Sequence, residues 1–155
     1  MRLVLVRHGE AEPLRMRDSE RVLTARGHEQ AVATGAWLGS RLSGPVVLVS
    51  SPYQRARETA GHIRQALPQA DFRIVERITP EDDVKTALAL LGKIDSVETL
   101  VVVSHMPLVA ALAGWLSEGC LTGASPFALA EARVFDVQAL GASQANLRER
   151  FVPAA

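Results

Sequence analysis

Three unbroken runs of branched apolar residues punctuate the chain: Leu3-Val4-Leu5-Val6, Val46-Val47-Leu48-Val49 and Leu100-Val101-Val102-Val103. Runs of this length predict strands buried on both faces, as in the interior of a parallel sheet. A fourth segment, Phe72-Arg73-Ile74-Val75-Glu76, alternates and predicts a strand nearer an edge. Between these runs the spacing turns helical. Ala31, Gly35, Leu38 and Leu42 predict a helix over 25–41 with Thr24 as its N-cap. Tyr53, Ala56, Ala60, Ile63 and Leu67 predict a second, with Ser51 as N-cap and Pro52 at its first position. Val84, Leu88 and Leu91 mark a third over about 83–92, and Leu108, Leu112, Trp115 and Leu116 a fourth opened by Met106-Pro107. Beyond Gly119 the register changes. Residues 133–137 and 147–152 predict two strands joined around Gly141-Ala142-Ser143, a connection short enough to make them antiparallel at one edge of the sheet. The pattern is that of an α/β fold with a mostly parallel sheet.

In open α/β sheets ligands bind beyond the carboxyl ends of the strands. The first strand runs into Arg7-His8-Gly9, and the Leu100-Val101-Val102-Val103 strand ends in Ser104-His105. Arg55 falls in the first turn of the helix after the second strand. Arg7, His8, Arg55 and His105 are therefore all delivered to one mouth by strand–helix junctions. Two fixed guanidiniums match a phosphate in charge and geometry. At an effective dielectric of about 20, one charge pair at about 4 Å is worth about 4 kcal/mol before desolvation, and helix N-termini add to it. The same cations should lower the pKa of each histidine. A neutral imidazole can attack phosphorus, so one histidine would be a nucleophile and the other a donor. The arginines and histidines do the neutralising, so no metal or other cofactor is required.

The charged stretch from Glu10 to Arg21, broken by Pro13, reads as a loop over this mouth. Within it Asp18 has two readings: a carboxylate that shuttles a proton or positions water, or one paired with Arg17 or Arg21. His28 and His62 fall mid-helix and read as surface residues, and Tyr53, Trp37 and Trp115 as packing residues.

Composition narrows the classes. The 155 residues are expected to form a single domain. Lys+Arg and Asp+Glu balance at 17 each, which argues against nucleic-acid or membrane-surface partners. The single cysteine, Cys120, permits no internal disulfide, and a reducing, cytoplasmic setting is expected. The short apolar run meeting Arg7-His8-Gly9-Glu10 is not expected to act as a secretory signal, no run in the sequence is long enough to span a membrane, and a monomer is expected.

The motifs together resemble the histidine phosphatase superfamily, the phosphoglycerate mutase-like group. Arg7-His8-Gly9 resembles its first motif, Ser50-Ser51-Pro52-Tyr53-Gln54-Arg55-Ala56-Arg57-Glu58-Thr59-Ala60 its second, and Val103-Ser104-His105-Met106-Pro107 its third. Leu23-Thr24-Ala25-Arg26-Gly27 also fits, and the likeness fades beyond Trp115. The resemblance implies a three-layer α/β/α sandwich and a phosphohistidine intermediate on His8. It implies phosphoryl binding by Arg7, Arg55 and His105, with Gly9 beside them. The short chain and the Asp18-Ser19 to Thr24 loop resemble the small SixA-type phosphohistidine phosphatases. That likeness implies a phosphorylated histidine-phosphotransfer domain or sensor kinase as partner. Mutases of the superfamily carry a glutamate acid in a long insertion, whereas Ile78-Thr79-Pro80-Glu81-Asp82-Asp83 is short. Departure from imidazole needs less acid assistance than departure from an alkoxide, so the short segment suits phosphohistidine. Asp18, or else Glu81 or Asp82, would supply what proton transfer is needed. Two alternatives stand beside this reading: a phosphatase of small phosphomonoesters, and a phosphoprotein-binding module without turnover.

Overall fold

In the computed structural model, residues 1–13, 17–95 and 97–154 are described. Six strands form one sheet: β1 (Arg2–Arg7), β2 (Val46–Ser50), β3 (Asp71–Ile74), β4 (Thr99–Ser104), β5 (Ala132–Val137) and β6 (Ala145–Phe151). Four helices intervene: α1 (Ala25–Arg41), α2 (Gln54–Ala66), α3 (Val84–Leu91) and α4 (Leu108–Glu118). The strand order is β3-β2-β4-β1-β5-β6. The first four strands are parallel, while β5 runs antiparallel to both β1 and β6. The expected edge pair is therefore present, with β6 as the outer strand and β3 at the opposite edge.

The buried strands separate two cores. Leu3, Leu5, Leu100 and Val102 meet α3 and α4 through Leu91, Leu108 and Leu112. Val4, Val6, Val101 and Val103 face the other way, toward Leu38 of α1 and Ala56, Ala60 and Ile63 of α2. Alternate residues of the same strand thus serve different layers, which is why these strands read as unbroken apolar runs. The architecture is a three-layer α/β/α sandwich. Among the described residues no helix is long and apolar enough to cross a membrane.

Helix starts follow local chemistry. The Thr24 hydroxyl accepts from the Gly27 amide at 2.9 Å and opens α1. The Asp83 carboxylate accepts from Thr86 at 2.7 Å and opens α3. At α2 the chain departs from expectation. The helix begins at Gln54, with Tyr53 at the cap position. Ser51 accepts from the Tyr53 amide at 3.2 Å, but the same hydroxyl lies 2.8 Å from His105 Nε2. Ser51 is drawn into the site, and Pro52 sits in the turn before the helix.

Candidate active site

Register assembles the site. Arg7 of β1 pairs with Ser104 of β4, so the next residue of each strand, His8 and His105, emerges beside the other. Their ring centroids lie 5.0 Å apart. The His8 amide donates to the Ser104 carbonyl at 3.1 Å, and the Ser51 amide to Val103 at 3.0 Å. Three strand ends are tied together this way, and α2 brings Arg55 over them. A cavity of about 340 Å³ results, lined by Arg7, His8, Arg21, Arg55, His105 and Pro80 among others.

His8 is held in one tautomer. Its Nδ1 lies 2.7 Å from the Gly9 carbonyl, an acceptor only, so Nδ1 carries the hydrogen. Nε2 then has the lone pair, and it accepts from Arg55 Nε at 3.2 Å. Burial pushes the His8 pKa down to about 4, and the charges of Arg55, Arg7 and Arg21 add to the effect, against the Gly9 carbonyl. Burial lowers His105 further, to about 2, with His8 and the arginines contributing. The cations were expected to lower both values, and they do, with loss of water as the larger cause. Both rings are neutral at neutral pH.

Two buried nitrogens at this cavity have no partner among the described residues: Arg7 Nε and His105 Nδ1. Buried polar groups are nearly always paired, so two orphans in one cavity mark a place for a ligand. Arg7 is otherwise anchored, with Nη1 donating to the Phe127 carbonyl at 2.8 Å. His105 is only 1% exposed. With Ser51 donating to its Nε2, His105 offers an Nδ1–H to an anion.

Arg55, only 3% exposed, spends its remaining nitrogens on Asp18. Nη1 donates to the Asp18 carbonyl oxygen at 2.7 Å and Nη2 to its carboxylate at 3.2 Å. Arg21 donates to the other carboxylate oxygen at 3.1 Å. Burial alone would raise the Asp18 carboxyl, but the hydrogen bonds and charges of Arg21 and Arg55 outweigh it and hold it below the usual carboxylate range. Asp18 is thus paired with Arg21, as one reading anticipated, and with Arg55, which neither reading did. Arg17 instead lies 4.0 Å from Glu20. Leu14, Arg15 and Met16 of the expected loop lie outside the described residues.

One expected binding residue is corrected. Gly9 does not offer its amide to the cavity, because that N–H donates to Thr59 Oγ1 at 3.1 Å. What Gly9 contributes is close approach: a Cβ there would lie 2.6 Å from the Gly27 carbonyl oxygen. Asp82 is spent elsewhere, accepting from the Thr79 amide, the Thr79 hydroxyl and Arg77. His28 and His62 are not isolated surface residues. They meet across α1 and α2 with their nitrogens 2.8 Å apart, away from the cavity, and His28 stands in the first turn of α1. Arg21 was missed as a cavity residue because nothing local distinguishes it from the other arginines of its loop.

The model of the histidine phosphatase superfamily (branch 1) matches residues 3–79. A phosphohistidine phosphatase SixA homolog of Haemophilus influenzae is 37% identical over 119 residues, covering 70% of this chain and 73% of the relative. The chain belongs to the histidine phosphatase superfamily. A second member, phosphohistidine phosphatase SixA of Escherichia coli K12, is 32% identical over 123 residues, covering 77% and 76% of the two chains. The superfamily fold is shared with a solved protein histidine phosphatase SixA complexed with tungstate. That structure matches with a TM-score of 0.86 at 24% identity, over 99% of this chain and 97% of the other. The protein is accordingly a phosphatase of the SixA-like group.

Proposed function

We propose that the protein removes phosphate from phosphohistidine on a phosphorelay protein, through a phosphoenzyme formed on His8 and without a metal ion. The observation that carries this is the pairing of a fixed His8 Nε2 lone pair with two unpartnered buried nitrogens, on Arg7 and His105. The phosphoryl oxygens take the Arg7 and His105 hydrogens and compete with His8 for Arg55. Freed from Arg55, the Nε2 lone pair attacks phosphorus. A new N–P bond forms as the bond to the substrate imidazole breaks, and that imidazole picks up a proton from solvent. Water then attacks the phosphorylated His8, the proton it loses goes to solvent, and phosphate leaves with the ring restored.

Asp18 acts in this scheme as a positioning residue for Arg55. Its ionised carboxylate, shared by Arg21 and Arg55, is a poor proton donor at neutral pH. A protein substrate is supported by the relatives named as phosphohistidine phosphatases. It is also supported by the short 75–83 connection between β3 and α3, whose Asp82 is occupied by Thr79 and Arg77. A cytoplasmic setting agrees with such a partner.

The test is one panel: a phosphorylated histidine-phosphotransfer domain beside sugar phosphates and nucleotides, with parental protein and His8→Ala. The phosphoprotein should be the better substrate by kcat/KM, and an acid-labile phosphoryl group should be trapped on the parental protein alone. Faster turnover of a small ester by orders of magnitude would overturn the substrate, and undiminished release by His8→Ala the mechanism.

A further inference from the structure

The segment after α4, where the sequence motifs have ended, holds the most deeply buried ion pair among the described residues. Glu131 is 0% exposed and Arg133 5%. Such a pair seldom adds net stability, because removing both charges from water costs about what their attraction returns. Its geometry shows another use.

Arg133 spends every guanidinium nitrogen on one stretch of backbone and its flank. Nε donates to Glu131 at 2.5 Å, Nη1 to the Ser125 carbonyl at 3.1 Å and Nη2 to the Pro126 carbonyl at 2.8 Å. Its guanidinium carbon lies over the Phe127 ring, 3.8 Å from the centroid. Glu131 holds the same stretch from the other side, accepting from the Ala128 amide at 2.8 Å while Arg150 braces its second oxygen. Residues on both sides of the Phe127 carbonyl are thus immobilised, and that carbonyl is the acceptor that anchors Arg7 Nη1. The segment also grips the site's backbone. The Ala130 amide donates to the His8 carbonyl at 3.0 Å, and the Arg7 amide to the Glu131 carbonyl at 3.1 Å.

We propose that Arg133 and Glu131 are positioning residues for Arg7: by fixing the Phe127 carbonyl they aim the free Arg7 Nε at the phosphoryl group. The inference rests on the reading of Arg7 as an anion-binding residue. Arg133→Lys keeps a cation beside Glu131 but loses the fork onto two carbonyls and the guanidinium contact with the Phe127 ring.

The experiment is a double-mutant cycle between Arg133→Lys and Arg7→Ala. It reads the dissociation constant for inorganic phosphate, kcat and KM for p-nitrophenyl phosphate, and Tm. Arg133→Lys should weaken phosphate binding and lower kcat/KM by about tenfold, the scale of one charge-assisted hydrogen bond. In the Arg7→Ala background the same change should cost less than about twofold. Equal losses in both backgrounds, or none in either, would overturn the proposal. Arg7→Ala leaving phosphate affinity intact would instead refute the anion-binding role of Arg7 itself. Should Arg133→Lys not fold, Glu131→Gln takes its place in the cycle. Failure of both to fold assigns the pair to stability alone and also overturns the proposal.

Discussion

Consider the protein taken from pH 7 to pH 4. In the unfolded chain His8 and His105 titrate near pH 6.5, whereas in the fold His8 is held to about 4 and His105 to about 2. Below 6.5 the unfolded chain therefore takes up protons that the folded chain refuses. Stability that is complete above pH 6.5 is lost as pH falls, until each folded ring reaches its own pKa. At about 1.4 kcal/mol per unit, His8 accounts for about 3 kcal/mol by pH 4. His105 loses a similar amount over the same range and continues below it. Together they remove about 6 to 7 kcal/mol, a large part of the 5–15 kcal/mol typical of a domain. Bound phosphate should oppose the loss, because an anion beside them favours the protonated rings.

Urea denaturation at half-unit steps from pH 7 to 4.5 checks this in the parental protein and in His105→Gln. Glutamine keeps an amide near Ser51 but cannot titrate. Between about pH 6 and 4.5 the parental unfolding free energy should fall faster than that of the variant, by about 1.4 kcal/mol per pH unit. His62, whose pKa is also lowered, is the same in both proteins and cancels. The carboxyls of Asp18, Asp82 and Glu131 are lowered too, so their contribution is lost only at more acid pH. Parallel curves for the two proteins would refute the claim that His105 is buried neutral.

Two further outcomes follow from contacts in and beside the cavity. Arg55→Lys removes the Nε–H held on His8 and the two-point grip on Asp18, and kcat on p-nitrophenyl phosphate should fall by about a hundredfold with Tm nearly unchanged. Activity within twofold of the parent would remove Arg55 from the mechanism. Gly27→Ala drives a Cβ into the Glu10 backbone, including its carbonyl oxygen, and should destabilise by about 1–3 kcal/mol in urea denaturation. An unchanged midpoint would show that the Glu10 segment moves aside freely.

Much of the fold was legible along the chain. The runs at Leu3–Val6, Val46–Val49 and Leu100–Val103 mark strands wanted by both cores, because each successive residue serves the opposite layer. Thr24 announced its helix, since a cap needs only a side chain and an amide three residues on. Arg7, His8, Arg55 and His105 were visible because each lies at the end of a strand, just past it, or in the first turn of the helix that follows one. Ser51 misled for the same local reason: as a hydroxyl before a proline it has the form of a cap, and nothing near it shows His105 waiting 54 positions away.

By itself the chain determined which segments become strands and helices, and which chemistry each strand end carries, because burial pattern and capping depend on residues a few positions apart. Only the tertiary structure decided who meets whom. The pairing of Arg7 with Ser104 sets two imidazoles side by side. Thr59 takes the Gly9 amide away from the cavity. Asp18 is bound to Arg55, and a distant carbonyl at Phe127 orients Arg7. These partners lie tens to more than a hundred positions apart in sequence. Their meeting depends on strand register and on the closing of long loops, which no local spacing records.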